Sequence, residues 1–277
     1  MKTPRPLQML IRSPYRFVKT VKCTVTPPYR RETVVMLHYG RCGSTVLARQ
    51  IAQNLEILWE GELFNMIFRG RFPEYKFLRD PFRLLQVRRL CAGMRMYGLE
   101  VNFHHRYDLS PPVLDMSPQA CFQKLKDAGA THFIVLKRKN YLRQQISEEV
   151  GRQQNQWHRN KDEDAPLHSV TLDPERVRFG GGEVPLIDSL RERDAMYDVI
   201  ESLLTDEPSL WLTFEDNIRD DPRDGYRRAC KFLGLDPVET SINTRRTNPY
   251  AVRHLLDNYN AVANCLKNTK YEWMLEN

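Results

Sequence analysis

Between an apolar run, Thr33 to His38, and a stretch of helical periodicity stands the segment YGRCGSTVL, Tyr39 to Leu47. Its residue types suit an anion. Gly40 and Gly43 let the backbone turn tightly and come close to a ligand. Ser44 and Thr45 place hydroxyl donors in the first turn of a helix, where unpaired amides and the positive dipole end already favour negative charge. Arg41 adds a fixed positive charge. The P-loop of nucleoside triphosphatases reads G-x-x-x-x-G-K-[ST]; here the loop is shorter and the lysine is missing. That lysine and a Mg²⁺ serve the β- and γ-phosphates of a triphosphate, so this loop suits a single 5′-phosphate carrying a transferable group. An ordinary strand-to-helix turn is the competing reading.

A second segment, FIVLKRKNYLRQQIS, puts Arg138 at a strand end and Ser147 nine positions later on the next helix. An arginine and a hydroxyl converging at another strand's carboxyl end suit a second phosphate. Separately each is a common surface feature. Two anion-friendly segments on successive strand–helix units are harder to set aside.

With both segments in view, the chain resembles sulfotransferases that use 3′-phosphoadenosine 5′-phosphosulfate (PAPS), most nearly the bacterial carbohydrate, trehalose-type group. GRCGSTVL looks like the family's 5′-phosphosulfate loop, R-x-G-[ST]-[ST]. Arg138, Asn140, Arg143, Gln144, Ser147 and Trp157 echo the pattern R-[RK]-[DN]-x-L-R-Q-x-x-S followed by Trp. LWLTFEDNIRDDPRDGYRRACKFLGL and the ending NYNAVANCLKNTKYEWML are also similar, and the likeness runs with gaps from Thr33 to Leu275.

The resemblance implies in-line sulfuryl transfer from PAPS to a hydroxyl or amino group of a carbohydrate or small-molecule acceptor, leaving adenosine 3′,5′-bisphosphate and needing no metal. It implies Arg41, Cys42, Gly43, Ser44 and Thr45 at the 5′-phosphosulfate, Arg138 and Ser147 at the 3′-phosphate, and Arg245 with Arg246 in a late basic loop over the nucleotide. Arg41 would also neutralise charge on the leaving group. Glu62, in WEGELFN, falls where the family carries its general base, with Glu60 as runner-up. Trp157 reads first as a core residue and second, with His158, as acceptor lining. His104 and His105 have no assigned role; Asp162, Glu163 and Asp164 would contact a cationic acceptor. Two departures stand out: animal cytosolic members carry Lys at the place of Arg41, and Cys42, read as a small filler, stands where Ser is usual.

The elements that must hold these residues alternate. Thr33–His38, Thr131–Leu136 and Leu210–Phe214 read as buried strands. Apolar spacing predicts helices over Ser44–Leu58, Phe82–Met96, the stretch after Lys137, Leu186–Leu204, the DPRDGYRRACKFLGL segment and Tyr250–Leu266. Ser117–Ala128 has a Ser cap, a Pro at its first position and Gly129 as its stop. His158–Pro185 reads as a long loop with one short strand. The fold expected is α/β, a P-loop-like three-layer sandwich with a central parallel sheet flanked by helices. Residues 1–32 form a basic amino-terminal arm and 33–277 a single sulfotransferase domain.

The 277 residues are 41% hydrophobic and 28% charged, which excludes a disordered chain. No stretch has the length of a transmembrane span, and the basic amino terminus lacks a signal-peptide apolar region. Six isolated cysteines and seven histidines without ligand spacing point to a reducing cytoplasm and no structural metal. The net charge of +7 favours an anionic partner, but the basic clusters sit at strand ends rather than in aromatic-interleaved stripes, which argues against nucleic acid. A homodimer through the basic arm stays open. A P-loop kinase-like phosphotransferase and a non-catalytic nucleotide-binding relative are the rival functions.

Overall fold

The computed structural model describes residues 32–103, 113–157, 159–160, 166–245 and 249–276. Five strands form one parallel sheet: β1 (Thr33–His38), β2 (Ile57–Trp59), β3 (Met96–Asn102), β4 (His132–Lys137) and β5 (Ser209–Thr213), in the order β2-β3-β1-β4-β5. β1 lies at the centre, with Val35 beside Leu99 on one side and Phe133 on the other. A strand covered on both faces must be apolar throughout, and every residue of β1 is buried. Alternation then divides the sheet's side chains. Val35, Leu37, Val101 and Val135 enter a larger core, while Val34, Met36, Ile134 and Leu136 enter a smaller one.

Helices cover both faces. α1 (Ser44–Ile51) and the later helix Pro222–Leu233 close the smaller core with Leu47, Ile51, Tyr226 and Leu233. The larger core is closed by α2 (Leu63–Phe68), α3 (Pro81–Leu90), α4 (Pro118–Asp127), α5 (Tyr141–Gln153) and α6 (Leu186–Leu203); Pro222–Leu233 is α7, and α8 (Tyr259–Leu266) completes the layer. Several starts are capped as their sequence predicts. Asp80 accepts from the amides of Phe82 and Arg83, Ser117 from Ala120, Asn140 from Arg143 and Asp221 from Arg223, each worth about 1 kcal/mol.

Some boundaries differ from expectation. The helix predicted to run to Leu58 stops at Ile51, because Asn54 turns the chain by accepting from the Glu56 amide and Leu58 belongs to β2. The helix predicted to reach Met96 ends at Leu90, and Met96 opens β3. β3 escapes an apolar-run reading because it contains Gly98 and Glu100. The glycine is demanded by packing, since a Cβ there would lie 2.3 Å from Cε3 of Trp59. The loop predicted before Pro185 carries a hairpin, Val177–Phe179 with Gly182–Val184, turned by Gly180 and Gly181 at positive φ. The helix predicted over Tyr250–Leu266 is broken after Leu255, because the Val170 amide donates to the Leu255 carbonyl and the Asp257 amide to Val170. Residues 1–31 of the predicted basic arm lie outside the described residues. Among the described residues no helix is long and apolar enough to cross a membrane.

The topology sets the site. From β1 the chain moves toward one edge of the sheet, to β2; from β4 it moves toward the other, to β5. Ligands bind in the crevice outside the carboxyl ends of strands where the connections diverge in this way. The two anion-friendly segments, after β1 and after β4, flank that crevice.

Candidate functional site

The loop after β1 turns through three left-handed residues, Gly40, Arg41 and Gly43, with φ of 78°, 50° and 89°. Such a conformation costs a non-glycine residue about 1 kcal/mol or more, and neighbours hold Arg41 in it. Nη1 of Arg138 donates to the Arg41 carbonyl at 3.0 Å, and Nε2 of Gln144 donates to the Gly40 carbonyl. The second segment therefore grips the main chain of the first. Gly43 caps α1, and the amides of Val46 and Leu47 donate to its carbonyl. Ser44 and Thr45 occupy the first turn, where helical geometry leaves amides unpaired within the helix.

The side chain of Arg41 reaches back across the crevice. Its Nε and Nη2 donate to Oγ of Ser147 at 3.0 and 2.8 Å, and Nη1 donates to the Trp157 carbonyl. Its guanidinium carbon lies 5.8 Å from the centre of the Trp157 ring. Residues assigned to two phosphate sites, 106 positions apart in sequence, are in direct contact.

Arg138 is buried, with its guanidinium 4.7 Å above the Phe214 ring, and its Nε finds no hydrogen-bond partner among the described residues. Burial pushes this guanidinium down to about 9 against the pull of Glu215, and the neighbouring Arg143 and Arg41 push in the same direction as burial. Burial also lowers Arg41, which Glu148 and Cys42 oppose. Positive charge is crowded here, and a bound anion relieves both the crowding and the desolvation.

Two clefts open from this junction. One, of about 700 Å³, has Arg41, Ser44 and Thr45 at its base and Trp59, Glu62 and Trp157 on its walls. The other, of about 600 Å³, is lined by Arg138, Arg143, Arg219, Phe214 and Trp273. The carboxyl-terminal segment forms a wall of the second cleft. Nδ2 of Asn140 donates to the Met274 carbonyl at 2.9 Å, and Asp194 binds both Nζ of Lys270 at 2.7 Å and the Tyr271 hydroxyl at 2.9 Å.

The structure separates the two candidate bases. Glu62 precedes α2 and faces the first cleft, its Oε2 accepting from Asn65 at 2.6 Å and its Oε1 from Asn102 at 3.3 Å. These two contacts come from neutral amides, which orient a carboxylate without adding a charge. Glu60 instead binds Arg88 through both oxygens, at 2.9 and 3.1 Å, and Tyr97 at 3.4 Å. Its charge is committed to the fold.

Cys42 is a free, fully buried thiol in the smaller core, as a filler would be. Trp157 corrects the expectation of a core residue: it is 41% exposed and lines the first cleft, because the chain leaves α5 at Gln153 and turns back over Gly151. The main chain of Thr244–Arg245 pairs antiparallel with Arg159–Asn160, which brings the late basic segment beside Trp157. The Arg245 side chain, Arg246, His104, His105, His158 and Asp162 to Asp164 lie outside the described residues. Among the described residues no group of side chains could hold a metal ion.

Sequence reasoning missed Gln144 as a loop clamp, the two asparagines on Glu62, the Phe214 and Trp273 rings, and a buried His38–Glu100 contact at 3.2 Å. For Gln144 a signal existed: it stands in the same helical turn as Ser147. No protein-family model matches the chain, and a sequence search of characterised proteins finds no match.

Proposed function

We propose that this protein is a PAPS-dependent sulfotransferase that transfers the sulfuryl group to a hydroxyl or amino group of a carbohydrate or small-molecule acceptor in the cytoplasm, on a P-loop-like three-layer fold. The observation that carries the reading is the junction of buried Arg138 and Ser147 with half-buried Arg41: a cluster of donors with crowded positive charge, set between two clefts at the carboxyl end of a parallel sheet. A mononucleotide with phosphates at two positions needs such an arrangement; a triphosphate needs a loop lysine, which GRCGST lacks.

The residues fit the nucleotide. Phe214 and Trp273 offer ring faces for a base in the second cleft, where Arg138, with its unpartnered Nε, and Arg143 meet a 3′-phosphate. Ser147 gives up Arg41 to the same phosphate. The first turn of α1, at Gly43 to Thr45, receives the 5′-phosphate. When bound, PAPS supplies the sulfuryl group and a stable leaving group. Glu62, facing the first cleft, would take the proton of the acceptor hydroxyl. Arg41 would place its positive charge beside the bridging oxygen of the leaving bisphosphate. Trp59 and Trp157 wall the acceptor cleft and exclude water.

The test is transfer of ³⁵S from labelled PAPS to a panel of sugars, phenols and amines, without Mg²⁺. Labelled product with wild type, and product formed about a hundredfold or more slowly with Glu62→Gln, is expected. Labelled product that persists undiminished in Glu62→Gln would remove Glu62 from the mechanism, and no product from any acceptor would remove the function.

A further inference from the structure

A buried pair beneath the phosphate loop has no part in the chemistry above. His38, the last residue of β1, is fully enclosed, and its Nε2 lies 3.2 Å from Oε2 of Glu100 on β3. On the other side of the ring, Nδ1 receives the Gly40 amide at 3.1 Å, at the first turn of the loop. The second carboxylate oxygen, Oε1, accepts from Nε1 of Trp59 at 3.1 Å, on the wall of the acceptor cleft. The Glu100 amide donates to the Gly61 carbonyl at 2.8 Å, and Gly61, at φ 77°, immediately precedes Glu62. Glu100 thus touches the Glu62 loop directly and reaches the loop after β1 through His38.

We propose that Glu100, acting through His38, is a positioning residue: it holds the imidazole in the tautomer whose Nδ1 lone pair receives the Gly40 amide, and so sets the phosphate loop relative to Trp59 and the Glu62 loop. The logic is one of donors and acceptors. A carboxylate only accepts, so the ring proton belongs on Nε2 and a lone pair is left on Nδ1. Indole N–H only donates, so Trp59 fixes which way the carboxylate turns. Burial opposes charge on this ring, while Cys42 and Glu100 favour it and would raise the histidine to about 10 were the Gly40 amide not directed at Nδ1. The Gly40 amide decides between them, because an N–H on Nδ1 would face another N–H and open the loop. At 3.2 Å, Nε2 and Oε2 are in ion-pair contact without hydrogen-bond alignment, so the charge of the carboxylate, rather than a directed bond, keeps the ring proton on Nε2.

The tautomer and the loop contacts stand by themselves; their bearing on catalysis rests on the function proposed above. The experiment uses ¹⁵N-histidine-labelled full-length protein, comparing wild type with Glu100→Gln and Trp59→Phe. In Glu100→Gln, the amide oxygen keeps Trp59 and the NH₂ turns toward Nε2, which drives the ring proton to Nδ1. Wild type is expected to show His38 neutral with the proton on Nε2, and Glu100→Gln to show it on Nδ1. Gly40 amide exchange and the Kd for adenosine 3′,5′-bisphosphate should each rise about tenfold in Glu100→Gln, the worth of one hydrogen bond. Trp59→Phe, which removes the indole donor and keeps an aromatic ring at the cleft wall, should speed Gly40 exchange about threefold, with denaturant unfolding run beside it to show that the variant is folded. A doubly protonated His38 in wild type, or Gly40 exchange unchanged in both variants, overturns the proposal. The expected tautomer and exchange without bisphosphate binding in wild type would sustain the relay and overturn the function.

Discussion

Nη1 of Arg138 donates to the main-chain carbonyl of Arg41 at 3.0 Å, so the end of β4 holds the loop that follows β1. The contact joins two strand–helix units at the point where the sheet's connections diverge. It also leaves Arg41 free to turn its side chain to Ser147. A ligand bound at one segment is therefore expected to be felt at the other.

Ser147 tests that coupling. Ser147→Ala removes the hydroxyl that Arg41 occupies and that a 3′-phosphate would take. The Kd for adenosine 3′,5′-bisphosphate is expected to rise about tenfold, the worth of a hydrogen bond to a charged group. Binding of adenosine 5′-phosphosulfate, which has no 3′-phosphate, should change far less. Competition titrations of both nucleotides measure the ratio, and equal losses would argue against a phosphate at Ser147.

Glu62 and Glu60 should part company. Glu62→Gln is expected to lower kcat by about 10²- to 10⁴-fold, as loss of a general base does, with bisphosphate affinity held. Glu60→Gln leaves Arg88 without its partner in a mostly buried pair and should cost about 1–3 kcal/mol of stability. Steady-state kinetics and denaturant unfolding of the two variants separate the roles.

Gly43 has no room for a side chain. An added Cβ would lie 2.9 Å from Cγ2 of Ile218 and 3.0 Å from Cδ2 of Phe214, on a backbone at φ 89°. Gly43→Ala should destabilise by about 1–3 kcal/mol. It should also weaken nucleotide binding, because Phe214 lies under Arg138. Unfolding curves and titration read the two effects together.

Asp194 pins the carboxyl-terminal wall of the second cleft. Burial would raise its carboxyl, but hydrogen bonds from Lys270, Tyr271 and Tyr141 hold it below the ordinary 3.8. A depressed carboxyl contributes stability that is present above pH 3.8 and is lost as pH falls through its lower folded value. Asp194→Asn should therefore lower Tm by about 1–3 °C at neutral pH, the modest size reflecting solvent screening. The difference should shrink as the pH falls below that of ordinary carboxylates. Trp273 fluorescence should report a looser tail in the variant at neutral pH.

How much of this was legible in the sequence depended on where each residue's partner lies. β1 and β4 were legible because cover on both faces makes a strand an apolar run, and β5, an edge strand with Trp211 exposed, because its short run is apolar all the same. β2 and β3 were not: one has three residues, and the other spends Gly98 and Glu100 on contacts with Trp59 and His38. The tight turn after β1 was legible because its glycines, arginine and hydroxyls sit together. Arg138 and Ser147 followed from their spacing within one strand–helix unit. The clamp of Gln144 on Gly40 and the tie from Asn140 to Met274 span 104 and 134 positions, distances that no local pattern reports. Trp157 was misjudged because an aromatic after a helix is usually core, and its exposure follows from a turn that its own residue type does not announce.

The most direct measurement is calorimetric titration of the protein with adenosine 3′,5′-bisphosphate, without Mg²⁺, beside Arg138→Ala. Removing a charged donor from a phosphate should cost at least about 2 kcal/mol, or some thirtyfold in affinity. Binding by wild type that weakens by that much or more in the variant is the predicted result. No binding of the bisphosphate by wild type, with ATP and Mg²⁺ bound instead, would contradict it and favour a phosphotransferase.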